Sequence, residues 1–404
     1  MKRRDILKSL TLFPFLGAGA GSLLPLESFG RSRAKRDILK ELGVPTFINA
    51  RGTITSMSGS LMHDYVLEAI ENSSKEYCML DDLQDKVGER IAAMAHAEAA
   101  TVTAGAFSAL TLGMAGILTG MDTKKVAQLP HLEGTGMKSE VLIQKGHNID
   151  YNHALENCGV KLVVVETPED VDRAVNEKTA SMHFLNCNAM RGKIMHEQWL
   201  ALARKHNLPA SIDIAADVPP LSNLWKYNDM GFSFVALSGG KAIRGPQSAG
   251  ILMGKKEIVA AARLSAPPRG ATIGRGMKVN KEEIIGMYVA LEHYVNQDHD
   301  KEWKMWEARV AVINNAVKNI PAVSTEVSVP PIANHTPTLH ISWDTDKIGI
   351  SGDGLLKALK EGSPSIIAYG GGKNSITVSP WMMRPGQEKI VASRIREEIL
   401  KHRG

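Results

Sequence analysis

Six short runs of continuous apolar character, over residues 141–144, 161–165, 180–185, 210–214, 234–237 and 250–253, constrain this chain more than any other feature. Strands that are apolar without alternation are buried on both faces, which is the mark of a parallel sheet covered by helices. Helical stretches such as 197–206 fill the intervals, so an α/β sandwich with crossover helices is the expected architecture. Upstream, apolar residues spaced three and four apart predict helices over 64–76, 81–96 and 103–120, and a charged helix over 32–42 precedes an extended entry segment at 44–49. After the turn-forming Pro267-Pro268-Arg269-Gly270, a long helix over 281–319 leads to a smaller α/β unit. Its expected strands cover 323–329, 338–343, 366–369 and 375–379, and a helix over 386–401 closes it. At 404 residues the chain exceeds a comfortable single core, in keeping with two structural units. The expected division is a leader at 1–30, an arm at 31–60, a large domain at 61–280, a connecting helix at 281–320 and a small domain at 321–404.

Hydrophobic residues make up 44% and charged residues 23%, which is ordinary globular usage and argues against disordered, collagenous and multispan membrane classes. The net charge of +5 is spread without a long basic run, and aromatic residues are only 5%, so there is no footprint for nucleic acid. Cys78, Cys158 and Cys187 share no metal-type spacing and are odd in number, so buried free thiols are expected and no metal site is.

Ser238-Gly239-Gly240-Lys241 follows the run at 234–237, and Gly245-Pro246-Gln247-Ser248-Ala249-Gly250 leads into the next. A lysine that forms a Schiff base needs rigid backbone, partial desolvation and small neighbours that admit a flat ring. Gly239, Gly240 and Gly245 are expected to supply that room. Upstream, Ser211-Ile212-Asp213-Ile214-Ala215 puts a carboxylate at the end of an apolar run, where burial is costly unless a cation meets it. A pyridinium nitrogen is such a cation, and keeping it protonated strengthens pyridoxal 5′-phosphate (PLP) as an electron sink. Gly105-Ala106 at a helix start suits a phosphate, and Ser238, three residues before the lysine, offers a second phosphate ligand. Together these point to PLP as cofactor, with Lys241 and Asp213 catalytic and Gly105, Ala106 and Ser238 holding the phosphate.

Arg3-Arg4-Asp5-Ile6-Leu7-Lys8, followed by a mildly apolar, Gly-containing stretch over 10–24, resembles a twin-arginine export signal. The resemblance implies the twin-arginine export machinery as a partner. It also implies a periplasmic location, with membrane tethering if the signal stays uncleaved.

The body resembles the fold type I PLP enzymes, and more narrowly the group containing selenocysteine synthase (L-seryl-tRNA(Sec) selenium transferase) and D-glucosaminate-6-phosphate ammonia-lyase. Its carriers are Phe47-Ile48-Asn49-Ala50-Arg51-Gly52-Thr53, Thr103-Ala104-Gly105-Ala106, Ser211-Ile212-Asp213, Leu237-Ser238-Gly239-Gly240-Lys241 with Gly245-Pro246-Gln247, and Gly274-Arg275-Gly276-Met277-Lys278. The resemblance implies the aspartate aminotransferase fold, a PLP-dependent transferase-like architecture with a large three-layer α/β domain and a smaller C-terminal α/β domain. It also implies an active site between domains and subunits, hence at least a homodimer. Within it, His147 is the candidate for stacking on the ring, and Asn188 for the ring hydroxyl, with Asn186 an equal rival. Arg384 is the candidate for the substrate carboxylate, Arg51 and Asn49 are further substrate-side candidates, and Arg275 and Lys278 are candidates for the phosphate of a neighbouring subunit. Arg51 stands where the group usually has a small residue, so a narrower pocket that prefers anions is expected.

An exported protein does not meet aminoacyl-tRNA, so the expected substrate is a small amino acid or amino sugar acid. The expected reaction is α,β-elimination of the ammonia-lyase type, begun by α-proton abstraction at Lys241. A transferase or racemase would reuse the same residues. A silent binding or scaffold protein is the reading from outside the enzymes, and intact Lys241 and Asp213 speak against it.

Overall fold

The computed structural model describes residues 36–404, so the twin-arginine-like stretch lies outside the described residues. The chain divides into two units, one ending at Thr46 and one beginning at Phe47. In the first, the described part of the charged helix expected over 32–42 holds one turn, Ile38–Glu41, started by the Asp37 side chain, which accepts from the Lys40 N–H at 3.1 Å. No helix among the described residues is long and apolar enough to cross a membrane.

The strands of the second unit are β1 (Phe47–Asn49), β2 (Ala99–Thr103), β3 (Glu140–Gln144), β4 (Lys161–Val165), β5 (Thr179–Leu185), β6 (Ala210–Asp213), β7 (Phe234–Ser238), β8 (Gly250–Gly254), β9 (Val323–Ser328), β10 (Thr338–Trp343), β11 (Ser365–Ile367), β12 (Tyr369–Gly370) and β13 (Ser375–Val378). All six apolar runs are strands of one seven-stranded sheet, ordered β2-β8-β7-β6-β5-β3-β4. From β7 to β4 every pairing is parallel.

The sheet is mixed rather than wholly parallel, because β8 runs against both β7 and β2. The cause is the short 239–249 connection, which is closed on itself by Gly239 N–H donating to Ala249 O at 2.9 Å. A parallel return would need a long crossover there. β2 is an unforeseen strand: Ala-Ala-Thr-Val-Thr has little apolar bulk and runs directly into the helix signal. The helix expected from 103 begins at Gly105 instead.

Successive residues of each strand serve opposite faces. Val235 and Leu237 join Phe184, Trp199 and Ile212 in one core layer. Phe234 and Ala236 join Leu110, Met114 and Leu252 in the other. Burial of the largest of these, Trp199, Phe184 and Phe234, is complete or nearly so, and each contributes about 1.5–3 kcal/mol of transfer free energy. The helix Gly105–Thr119 lies in the second layer and is buried along most of its length. Two glycines let it sit that deep: a Cβ on Gly113 would stand 2.8 Å from the Phe234 ring, and one on Gly116 would stand 2.7 Å from Ile258 O.

A second sheet, β12-β13-β10-β9, is antiparallel throughout. Its core is separate and includes Leu339, Ile341, Ile376 and Val378, with Val391 and Ile395 from the closing helix Gln387–Lys401. The strand expected over 366–369 divides, β11 pairing in parallel with β1 and β12 pairing with β13. The helix expected over 281–319 is also two, Lys281–Asn296 and His299–Val317. Gln297 is extended between them, and the Asp298 side chain starts the second by accepting from the Lys301 N–H at 2.9 Å.

Gly116→Val is expected to lower stability by about 1–3 kcal/mol, because the helix cannot give way against the Ile258 and Ala262 backbone. Urea denaturation measures it, and an unchanged midpoint would contradict this crossing.

Candidate active site

Lys241 stands in the 239–249 loop, just past the end of β7. Besides the Gly239–Ala249 bond, Gly245 N–H donates to Gly239 O at 2.9 Å and Arg244 N–H donates to Lys241 O at 3.0 Å, so the loop is a closed framework. Arg244 takes the left-handed region, with φ of 58°, to complete it. The glycines do not make room for a ring, as their sequence suggested. A Cβ on Gly239 would stand 2.2 Å from Met287 Sδ, and one on Gly240 would stand 2.5 Å from Gln247 Cα. Their smallness is used to pack the loop against its own return strand and the helix Lys281–Asn296.

A cavity of about 460 Å³ brings Lys241 together with Asp213, Ser238, Gly105 and Ala106. This is within the range of small-molecule sites. Asp213 ends β6 beside β7, in register with Ala236. Its Oδ1 accepts from the Ala215 N–H at 2.8 Å. Burial holds its carboxyl above the usual carboxylate range, while that N–H and the Lys241 charge act in the opposite direction. Gly105 opens the helix at φ of 83°, and no side chain caps that end, so first-turn N–H groups are left for a ligand. Gly250 fits beneath it only without a side chain, since a Cβ would stand 2.4 Å from the Gly105 carbonyl carbon.

Other expected residues lie elsewhere. His147 is fully buried outside the cavity lining; its Nδ1 accepts from the Leu185 N–H at 3.3 Å, and its ring meets Phe184 edge-on at 4.5 Å. The flat side chains on the cavity wall are instead Tyr151 and Phe107. Asn188 is committed to Gly146 O at 3.0 Å, and Asn186 is buried and bonded to Asp217 and His196. Asn49 spends its side chain on its own turn, accepting from the Arg51 and Gly52 N–H groups and donating to Gly52 O. Arg51, Arg384, Arg275 and Lys278 are exposed and do not line the cavity.

Among the lining residues not assigned to the site from sequence are Phe107, Tyr151, Cys187 and Asp217. Tyr151 sits within the single helical turn Asp150–Asn152, away from any strand end, and Cys187 was expected in the interior. Cys187 and Cys78 are exposed, and only Cys158 is buried, donating to Thr111 O at 3.2 Å. Although part of Cys187 reaches solvent, desolvation of its thiol against the wall, with Asp217 and Asp213 nearby, pushes it up to about 12. Asp217 lies four residues beyond Asp213, and a second carboxyl leaving a buried strand was the signal available for it.

Three interior histidines surround this region. His147 is pushed down to about 4 by burial and then His196, His183 to about 3 by burial and then His147, and His196 to about 4 by burial and then Lys226. They stay neutral in the native state while the unfolded chain takes up protons below about pH 6.5. Their contribution is therefore complete above about pH 6.5 and lost as pH falls toward 4. His147→Gln and His183→Gln are expected to lose less stability than the parent over that interval in urea titrations. Parallel curves would contradict neutral burial.

No family model matches the chain. It is similar to D-glucosaminate-6-phosphate ammonia lyase of Salmonella typhimurium (strain 14028s / SGSC 2262), at 26% identity over 91% of this chain and 98% of the relative. It is also similar to 5′-C-glycyluridine monooxygenase-decarboxylase of a Streptomyces species, at 25% identity over 90% and 92%. A partial likeness, 25% identity over 61% of this chain and 52% of the relative, extends to L-seryl-tRNA(Sec) selenium transferase of Pasteurella multocida (strain Pm70). The solved structure of D-glucosaminate-6-phosphate ammonia-lyase superposes with a TM-score of 0.80 at 24% identity, covering 91% of this chain and all of that one. The chain has the α/β fold of the fold type I PLP-dependent enzymes, with a large mixed sheet.

Proposed function

We propose that this chain is a PLP-dependent lyase that eliminates a β-substituent from a small amino acid or amino sugar acid. The observation that carries the reading is the convergence of Lys241, Asp213, Ser238 and the uncapped start of the helix Gly105–Thr119 on one cavity. The likeness to an ammonia lyase along nearly the whole chain supports it.

The cavity suits the cofactor group by group. Asp213 is a buried carboxyl at a strand end that gains from a cationic ring nitrogen. The helix start and Ser238 offer donors to a phosphate. Lys241 is part-buried on a closed loop, positioned to hold the cofactor covalently through Nζ. PLP, when bound, supplies an electron sink for the bonds at the substrate α-carbon. The Lys241 amine, when free, would be the base that takes the substrate α-proton. The β-substituent would leave with its bonding electrons, and water would release ammonia and a keto acid from the eliminated product. Asp213 would stand against the ring nitrogen and leave the proton transfers to other groups. Assembly as a homodimer or higher oligomer, which would bring Arg275 and Lys278 to a second subunit, and work outside the cytoplasm belong to the same proposal.

Incubation of the PLP-supplemented protein with D- and L-β-hydroxyamino acids is expected to release ammonia and keto acid. Exchange of the α-proton with neither product would favour a racemase and remove the lyase reading, and carbon dioxide release would favour a decarboxylase. Lys241→Ala is expected to abolish the linkage that borohydride traps. Asp213→Ala is expected to slow turnover by about 10²-fold or more, as loss of a preorganised electrostatic partner does. If Asp213→Ala turns over at the parent's rate, that residue does not serve the ring.

A further inference from the structure

Elimination of a hydroxyl requires a proton for the departing oxygen as well as a base for the α-carbon, and the cavity holds a group that the reading above leaves unused. Asp217 is 1% exposed and belongs to the cavity wall. Its main chain is fixed at both ends: its N–H donates to Ile214 O at 3.1 Å, and its carbonyl accepts from Asn223 Nδ2 at 2.6 Å. Oδ2 accepts from Asn186 Nδ2 at 3.0 Å, whereas Oδ1 is buried without a partner among the described residues. Asn186 is held from its other side, its Oδ1 lying 2.7 Å from His196 Nε2. Since Asn186 donates to the carboxyl, its oxygen must accept, so His196 carries its proton on Nε2.

We infer that Asp217 is the second acid of this cavity, giving a proton to the leaving oxygen of a β-hydroxy substrate. The inference rests on the lyase reading and names the substrate class it serves. A carboxylate here would leave Oδ1 as an unsatisfied buried anion, whereas the carboxylic acid turns the same atom into a donor. The neighbours shift the balance towards the acid. Burial raises the carboxyl most, the Asn186 bond lowers it, the Asp213 charge raises it and the Lys241 charge lowers it, with the balance at about 7. Cys187 and Tyr227 also face this carboxyl, and both are held protonated mainly by desolvation.

Other groups fit the task less well. Asp213 is committed to the ring nitrogen and Ser238 to the phosphate, the Cys187 thiol is too weak an acid, and Tyr151 is 64% exposed to water. An acid tuned close to neutrality transfers its proton most efficiently at neutral pH. In the step, the α-proton goes to Lys241, the Cβ–O bond breaks with its electron pair on oxygen, and that oxygen leaves as water with the Asp217 proton. The proton held on Lys241 then passes by way of water to the Asp217 carboxylate, which restores both groups.

Two measurements on Asp217→Asn test this. In urea titrations of the apoprotein, a native carboxyl with a raised pKa binds a proton that the unfolded chain has released, so its stabilisation is lost as pH rises from about 4 to about 7. The parent is expected to show that loss relative to Asp217→Asn, and Asn186→Ala, which removes a bond to the carboxylate, moves it to higher pH. Parallel curves would overturn the proton assignment.

With the PLP-loaded enzyme, Asp217→Asn is expected to slow deamination of serine by about 10²-fold or more. It should leave β-chloroalanine, whose chloride departs without a proton, nearly unaffected. Equal slowing of both, or of neither, would mean that Asp217 does not protonate the leaving group. If the parent forms no borohydride-trapped linkage, or deaminates neither compound, the lyase reading fails and the acid role with it. The urea titrations still decide separately whether Asp217 carries the proton.

Discussion

The hydrogen bond from Gly239 N–H to Ala249 O is where sheet topology and candidate chemistry meet. It closes the connection between β7 and β8, which makes β8 antiparallel and fixes Lys241 to backbone that belongs to two adjacent strands. A lysine on a free surface loop would lose conformational entropy each time it engaged a ligand. Here that entropy is lost on folding, and part of its cost is met by packing. The Gln247 backbone lies so close to Gly240 that no larger residue fits there, and a side chain on Gly239 would have to displace Met287. The same reversal brings Gly250 against Gly105, so the start of the helix Gly105–Thr119 is positioned by the strand that the lysine loop leads into.

Electrostatics then decides what such a framework can hold. Two carboxyls, Asp213 and Asp217, share the wall with one lysine, and both are pushed upward mainly by burial. Two buried anions facing a single cation would be expensive. Raising one carboxyl towards neutrality lowers that cost without removing the group. The nearby histidines answer the same pressure in the opposite direction, staying uncharged so that no further buried charge is added. The region is therefore rich in titratable groups and poor in net charge, a condition under which a cationic ring and an anionic phosphate both find complementary partners.

Much of this was legible in the sequence because burial on both faces leaves a direct trace: continuous apolar runs gave the six strands, and Asp213 and Lys241 stood out as polar residues at the ends of such runs. β2 was hidden because its small residues pack as well in a helix as in a strand. The reversal of β8 depends on a closed loop whose bonds have no sequence signature. His147 was placed by analogy of position after a strand, but its imidazole finds a better partner in the Leu185 backbone and the Phe184 edge than in the cavity. Asn49 was drawn to the substrate by its motif, yet its side chain is fully used in the turn that Gly52 completes at φ of 111°. Such misplacements share a cause, since a polar residue close to a site in sequence is often consumed by the backbone that builds the site.

Asp217 shows the converse, a wall residue whose properties are set from the core. The chain Asp217–Asn186–His196 ends on an aromatic cluster, where the His196 ring lies 4.3 Å from Phe184 and 5.5 Å from Tyr227. Phe184 also meets His147 and Trp199, and Tyr227 meets Phe232. Tight interiors transmit displacement because few voids absorb it. The Asn186 amide can satisfy both of its partners only while the His196 ring holds its place, and that ring is held by apolar packing. The acidity of a carboxyl on the cavity wall is in this way a property of the sheet's apolar layer as much as of the carboxyl's polar neighbours.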